Sequence, residues 1–282
     1  MMSEKITASR GWMLDVDGCL VRTSRAGGAG GTPMPLAAEF LTALYAAGHN
    51  VIVCTNASEK TPQEYAAHLR EIGLPVRDED FMTAGSAAAE YITHHHPGAR
   101  VLVLGAEGIA APLRALGVTF ADPHSPADVV VVGADSSYST QNLNAAALAV
   151  DAGAPLYTTV SSPWFHGGAG KSICVSAAMA HAITWVTGVE PKVLGKPSPE
   201  LGETLIRRLG HPPEAITIVG DAPAEIQLAR HMGANSALVL SGAITEAGLG
   251  SMAEAERPDV ALADIAELHE MLFPALSMTQ GK

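Results

Sequence analysis

The tetrapeptide Asp15-Val16-Asp17-Gly18 closes the first apolar run of the chain, Trp12-Met13-Leu14. Residues two apart on a strand share a face, so the two carboxylates would lie side by side and repel each other. A bound divalent cation would remove that repulsion, and would leave one carboxylate to attack and the other to carry a proton. A polar strand end that turns at Gly18 is the alternative, and the tetrapeptide alone does not decide between them.

Composition narrows the class of protein. A length of 282 residues is enough for about two domains. With 48% apolar and 16% charged residues, the composition is that of a globular protein with ample core. The net charge of −12 disfavours nucleic acid and anionic membranes as partners. Three scattered cysteines suit neither a disulfide framework nor a zinc site. Because residues 1–10 are polar, without an apolar signal region, we expect a soluble, cytoplasmic protein.

Strand-like apolar runs alternate with segments of helical periodicity along the whole chain, which predicts an α/β fold with a parallel sheet. We predict strands at residues 12–14, 51–54, 81–83, 101–104, 129–132, 156–159, 216–219, 237–240 and 260–262. We predict helices at about 35–48, 62–72, 86–95, 107–116, 142–152, 172–187, 199–209 and 265–272, and one directly after Asp221.

Polar groups recur where the predicted strands end. Thr55-Asn56 follows one strand and Gly220-Asp221 follows another, while Lys196 lies at the start of a helix. Ligands of open parallel sheets bind at the carboxyl ends of the strands, so these groups are expected to converge with the first acidic pair. Carboxylates suit a hard cation such as Mg²⁺, and a hydroxyl and a lysine suit phosphate oxygens.

Three other motifs have weaker functional interpretations. Gly27-Gly28-Ala29-Gly30-Gly31 is typical of a mobile flap more than of a dinucleotide fingerprint, which opens a helix directly after its strand. The segment 167–172 imitates a phosphate-binding loop, but Phe165 stands where that motif requires glycine, and a helix N-terminus is preferred. Three consecutive histidines on a helix, His94-His95-His96, cannot all face one metal. Histidines at the end of a helix interact favourably with its dipole, so this run indicates a helix C-terminus more than a metal site.

Taken in order, the four strand-end motifs resemble those of the haloacid dehalogenase superfamily, in the p-nitrophenylphosphatase and pyridoxal phosphatase-like branch. The matching segments are Asp15-Val16-Asp17-Gly18, Thr55-Asn56, Gly195-Lys196-Pro197-Ser198-Pro199 and Gly220-Asp221 with Glu225. The resemblance implies a Rossmann-like parallel-sheet core with an inserted α/β cap domain. The core would comprise residues 1–99 and 191–282, and the cap residues 100–190.

The resemblance also implies a set of roles. Asp15 would be the nucleophile and Asp17 the general acid and base. Mg²⁺ would be held by the carboxylates of Asp15 and Asp221 and by the backbone carbonyl of Asp17. The phosphoryl oxygens would be bound by Thr55 and Lys196, with backbone amides around Asp17, Gly18 and Asn56. Dehalogenases lack an acid at the position of Asp17, so its presence favours phosphoryl transfer.

Two positions depart from the pattern of this branch. Glu225 stands where relatives generally have an aspartate after a spacer one residue longer. Its implied role is to orient a metal-bound water or Lys196. Glutamate in place of aspartate is therefore expected to affect the affinity for the metal more than the activity itself. Ala57 replaces a second asparagine that commonly follows the Thr55-Asn56 pair, which removes one polar contact near the substrate.

Specificity would come from the cap, where Trp164, Phe165 and His166 follow a predicted strand on a loop. The aromatic rings could stack on a flat leaving group and the histidine could hydrogen-bond it; an anchoring or dimer contact is the alternative. Cys19 and Cys54 adjoin the motifs and are either redox-sensitive or simply buried.

The predicted function is Mg²⁺-dependent hydrolysis of a small phosphorylated metabolite through an aspartyl-phosphate. A phosphotransferase, or a catalytically weak phosphate-binding regulator, is the alternative. Members of the branch also tend to form homodimers through the cap.

Overall fold

The computed structural model describes residues 2–23, 30–166 and 170–274. The chain forms two compact units. The first consists of Met1–Thr55, Ala66–Phe81 and Leu205–Lys282, and the second of Asn56–Tyr65 and Met82–Thr204. The cap boundaries at residues 100 and 190 stay predictions.

Strands and helices alternate through the described chain, as the apolar pattern predicts. The strands are β1 (Gly11–Asp15), β2 (Val21–Arg22), β3 (Thr32–Pro33), β4 (Asn50–Thr55), β5 (Phe81–Thr83), β6 (Arg100–Leu104), β7 (Thr119–Phe120), β8 (Val129–Val132), β9 (Leu156–Thr158), β10 (Trp164–His166), β11 (Lys171–Ile173), β12 (Lys192–Val193), β13 (Ile216–Gly220), β14 (Asn235–Val239) and β15 (Val260–Leu262). The helices are α1 (Met2–Thr7), α2 (Ala37–Ala46), α3 (Pro62–Glu71), α4 (Ala84–His95), α5 (Glu107–Ala115), α6 (Thr140–Asp151), α7 (Val175–Thr187), α8 (Pro199–Leu209), α9 (Pro223–Met232), α10 (Glu246–Ser251) and α11 (Ile265–Leu272).

The larger sheet has the strand order β15-β14-β13-β1-β4-β5. Strand β1 is central and pairs in parallel with both β13 and β4. The register places Leu14 opposite Val219 and Asp15 opposite Cys54. The carboxyl ends of these three strands are therefore level with one another, which confirms the α/β fold with a parallel sheet.

Packing in the first unit is dense around β1. Trp12, Met13 and Leu14 have no exposed surface, and Phe40 of α2 lies edge-on to Trp12 with ring centroids 6.2 Å apart. Complete burial of side chains of this size stabilises a fold by about 1.5–3 kcal/mol each. The strand that ends in Asp15 is thus held rigidly by its own core.

The second unit has its own five-stranded sheet of order β12-β9-β8-β6-β7, in which every pairing is parallel. Its central strand β8 is four consecutive valines, all buried. Val129 and Val131 pack in the cluster that contains residues of α4 and α5, and Val130 and Val132 in the cluster that contains residues of α6 and α7. Such an unbroken apolar run is typical of a parallel strand covered by helices on both faces.

One helix prediction is wrong in its start. Residues 171–173 form strand β11, and α7 begins at Val175 rather than near Ser172. Strand β11 pairs antiparallel with β10, so Trp164 and Phe165 lie on a strand and not on a loop. Aromatic and β-branched residues such as Trp164 and Ile173 favour a half-exposed strand. At residues 171–173 this preference outweighs the helical pattern of the residues that follow.

None of the helices in the described part of the chain combines the length and the hydropathy needed to span a bilayer.

Candidate active site

The acidic pair lies where β1 turns off the sheet. Asp15 is the last residue of β1 and is 6% exposed, whereas Asp17 is half-buried. A tight turn follows, in which the Gly18 amide donates to the Val21 carbonyl oxygen at 2.8 Å and the Val21 amide donates to Val16 at 2.8 Å. This turn takes Asp17 off the strand, so the two carboxylates need not share one face of the sheet.

Asp221 follows β13, the neighbour of β1, and is 8% exposed. Its Oδ2 accepts a hydrogen bond of 2.6 Å from the Ala243 amide, and its carbonyl oxygen accepts one of 3.0 Å from the Ile244 amide. The segment after β14 therefore fixes this carboxylate at the carboxyl edge of the sheet.

Two glycines border the Asp221 carboxylate. A Cβ at Gly242 would lie 2.6 Å from Asp221 Cγ, and one at Gly18 would lie 2.8 Å from the same atom. Gly18 also has a φ of +83°, a conformation that other residues adopt only with strain. The Ser241 hydroxyl donates to the Gly18 carbonyl oxygen at 2.8 Å, which joins the two segments.

Sequence reasoning missed Ser241 and Gly242. A signal was present, because Ser241-Gly242 begins two residues after the end of the buried strand β14, as Asp17-Gly18 begins two residues after the end of β1. This strand end has no charged side chain, so its sequence does not by itself indicate a metal or phosphate ligand.

The residues at this edge fit a divalent cation. Asp15 and Asp221 are both more than nine-tenths buried, at the ends of adjacent parallel strands. Two buried carboxylates at the ends of neighbouring strands are costly unless a positive charge compensates them, and their hard oxygen atoms are the ligands that Mg²⁺ prefers.

Glu225 is the third residue of α9 and is 4% exposed. Its Oε2 accepts a hydrogen bond of 3.2 Å from the Ala222 amide, directly after Asp221 in the chain. A Cβ at Gly220 would lie 2.7 Å from Glu225 Cδ, so this glycine makes room for the carboxylate. Glu225 thus holds the start of α9 beside Asp221, and its role toward a metal-bound water stays a prediction.

Thr55 completes the edge in the first unit. It is the last residue of β4, the other neighbour of β1, and is 2% exposed. The structure therefore brings Thr55, Asp15 and Asp221 to the ends of three adjacent strands, as predicted.

Asn56 and Lys196 are brought together within the second unit. The Lys196 amide donates to Asn56 Oδ1 at 2.8 Å, and Asn56 Nδ2 donates to the Lys196 carbonyl oxygen at 3.0 Å. Lys196 is 6% exposed. Two residues further on, Ser198 Oγ accepts from the Leu201 amide at 3.1 Å and caps α8. The backbone of Lys196 is thus held by Asn56, just before the capped start of α8.

The predicted specificity residues lie on the β10–β11 hairpin of the second unit. Trp164 is 38% exposed, and Lys171 Nζ lies 4.4 Å from its ring centroid. The side chain of His166, the loop residues 167–169 and residues 24–29 of the predicted glycine-rich flap lie outside the described residues. The contribution of the hairpin to specificity stays a prediction.

Comparison with known proteins identifies the family. A family model described as haloacid dehalogenase-like hydrolase matches residues 12–119, and a second, HAD-hydrolase-like, matches residues 193–268. An acid sugar phosphatase of Staphylococcus aureus is 30% identical over 216 residues, which are 75% of this chain and 78% of that protein.

Solved structures of phosphatases have the same fold. A 4-nitrophenylphosphatase from Thermotoga maritima superposes with a TM-score of 0.83 at 25% identity, covering 95% of this chain and 99% of its own. A p-nitrophenyl phosphatase from Archaeoglobus fulgidus gives 0.82 at 27% identity, covering 93% and 98%. With its strand-end carboxylates and these relatives, the chain belongs to the haloacid dehalogenase-like hydrolases, and it is an enzyme that hydrolyses phosphomonoesters.

Proposed function

We propose that the enzyme hydrolyses small phosphorylated metabolites with Mg²⁺ as its metal and Asp15 as its nucleophile. The observation that carries the proposal is the pair of buried carboxylates, Asp15 and Asp221, at the ends of adjacent strands. Asp17 follows two residues after Asp15, on a turn that separates it from the strand.

The first step would be attack of a carboxylate oxygen of Asp15 on phosphorus. The bond between phosphorus and the ester oxygen breaks, Asp17 donates its proton to the departing alcohol, and an aspartyl-phosphate remains. Asp17 would then take a proton from water, which attacks phosphorus and releases inorganic phosphate and Asp15. The two steps balance, because the proton that leaves Asp17 in the first returns in the second.

The carboxylates of Asp15 and Asp221 and the backbone carbonyl of Asp17 would hold Mg²⁺. When bound, the cation supplies the positive charge that allows a carboxylate to approach an anionic phosphate. The amide of Ala243 holds one oxygen of Asp221, so the orientation of this ligand is set before a cation binds.

Thr55 and Lys196 would bind the phosphoryl oxygens, together with backbone amides near Gly18 and Asn56. In an acidic protein of net charge −12, the buried lysine supplies the local positive charge that an anionic substrate requires. The side chain of Asn56 is occupied with Lys196, which supports a positioning role for it in addition to the predicted role of its amide.

The leaving group would be recognised by Trp164, Phe165 and His166. The ring of Trp164 is partly exposed, which supports contact with a substrate, and the ammonium group of Lys171 lies over one face of the ring. Sugar phosphates are the class to test first, because the Staphylococcus aureus relative is named an acid sugar phosphatase.

A homodimer formed through the cap is part of the proposal. Trp185 and Val186 of α7 are 90% and 69% exposed, and Leu148 of the neighbouring α6 is 71% exposed. Exposed apolar side chains on two packed helices favour a contact with another protein surface. The proposal also places the enzyme in the cytoplasm, and the net charge of −12 supports the absence of nucleic acid and anionic membranes among its partners.

The test is hydrolysis of p-nitrophenyl phosphate with and without Mg²⁺, in the wild type and in Asp15→Asn. We expect metal-dependent release of phosphate that the substitution abolishes. Release of p-nitrophenol with phosphate passed to an added alcohol would instead identify a phosphotransferase. Turnover that persists in Asp15→Asn, or that does not depend on Mg²⁺, would overturn the roles proposed for this residue and this metal.

A further inference from the structure

A cluster of two histidines and one glutamate lies at the end of α4. Ligand atoms of His94, His95 and Glu203 lie within 4.8 Å of one another, and His95 Nε2 is 2.8 Å from Glu203 Oε1. His94 and His95 belong to the last turn of α4, and Glu203 lies on α8. All three belong to the second unit and none has a part in the proposed phosphatase chemistry.

Neighbouring aromatic rings orient the two histidines. The His95 ring stacks on Tyr91, one helical turn earlier, with centroids 4.1 Å apart and an angle of 27° between the planes. The His94 ring stands edge-on to His95, with centroids 5.0 Å apart. Because Tyr91 is only 6% exposed, it is a fixed support for the His95 ring.

The third histidine of the run faces elsewhere. His96 Nε2 lies 2.7 Å from the hydroxyl group of Tyr157, on β9. Helical geometry prevents three consecutive histidines from sharing one ion, and the structure replaces the third with a carboxylate from another helix. This replacement cannot be read from the sequence, because Glu203 is more than a hundred residues away.

We infer that His94, His95 and Glu203 form a second metal site, which binds Zn²⁺. Two imidazole nitrogens and one carboxylate oxygen are a typical zinc set, with water in the fourth position. Mg²⁺ prefers six oxygen ligands and would not compete effectively. Ligands about 2.1 Å from a tetrahedral zinc lie about 3.4 Å apart, so small side-chain rotations close the site and replace the hydrogen bond between His95 and Glu203.

The site would join the last turn of α4 to α8. An ion that binds the folded protein and not the unfolded chain raises the free energy of unfolding as its concentration rises above Kd. The bound ion would therefore act as a surface clamp between two helices of the second unit.

The experiment is calorimetric titration of chelator-treated protein with Zn²⁺, in the presence of saturating Mg²⁺, with Asp15→Asn as a parallel sample. We expect one zinc per chain in both proteins, and at least tenfold weaker binding in His94→Ala and in Glu203→Gln. His181→Ala removes another exposed histidine of the second unit and should bind as the wild type does. Zinc should also raise Tm of the wild type, and not of His94→Ala.

Unchanged zinc affinity in both His94→Ala and Glu203→Gln would overturn the assignment. Loss of zinc binding in Asp15→Asn would also do so, because it would place the ion at the phosphatase site. Retained Mg²⁺-dependent phosphatase activity in His94→Ala and Glu203→Gln would show that the variants are folded.

Discussion

The side chain of Asn56 forms two hydrogen bonds with the main chain of Lys196, one to its amide at 2.8 Å and one to its carbonyl oxygen at 3.0 Å. The pair is closely packed, since a Cβ at Gly195 would lie 2.8 Å from Asn56 Oδ1. The asparagine of one motif therefore sets the backbone position of the lysine of another.

We expect Asn56→Ala to lower kcat by about 10–100-fold, because a misplaced catalytic group costs this much even when it is still present. The decisive measurement is a double-mutant cycle with Lys196→Ala. If Asn56 acts through Lys196, the Asn56→Ala change should cost little in the Lys196→Ala background. Additive losses would contradict the positioning role. Asn144→Ala, an exposed asparagine on α6, is the matched control.

Asp17→Asn should reveal the general acid through its dependence on the leaving group. The substitution should reduce turnover of an alkyl phosphate by about 10²–10⁴-fold, because an alkoxide is a poor leaving group without a proton. The loss should be smaller with p-nitrophenyl phosphate, since p-nitrophenolate departs readily. Equal losses with the two substrates in steady-state assays would argue against the assignment.

Gly242→Ala should weaken metal binding. The added methyl group would overlap the carboxylate of Asp221, so this predicted ligand must rotate or the segment must move. We expect the Mg²⁺ concentration for half-maximal activity to rise by about 10–100-fold. Gly250→Ala is the control, because a Cβ there meets no heavy atom within 4 Å. A similar Mg²⁺ dependence in both variants would show that Asp221 does not need this glycine.

Acid should destabilise the first unit through His49. Trp12 Nε1 donates to His49 Nδ1 at 3.2 Å, so His49 Nδ1 must be unprotonated. Burial, and then the charge of Arg10, lower the pKa of His49 below its ordinary value. The unfolded chain therefore binds more protons than the folded one, and the free energy of unfolding decreases as the pH falls below about 6.5.

His49→Gln keeps an acceptor for Trp12 and removes the titration. Urea unfolding between about pH 5 and 8 should then show a weaker dependence on pH than in the wild type. Curves that stay parallel over this range would rule out a contribution of His49.

Much of the fold follows from local pattern. The run Trp12-Met13-Leu14 had to be a buried strand, and the polar residues that follow such runs marked Asp15, Thr55 and Asp221 as strand-end residues. Family resemblance then supplied their roles. The β10–β11 hairpin was missed, because short strands with aromatic residues carry too little periodicity to be separated from the helix that follows.

The kind of chemistry, and the edge of the sheet at which it is placed, can be predicted from local sequence, because strand period, helix starts and polar strand ends are local properties of the chain. Three contacts are set by the packing of the folded chain: Gly242 borders Asp221, Asn56 holds Lys196, and Glu203 meets His95. These contacts join residues far apart in the chain, and they depend on which elements become neighbours when the core packs.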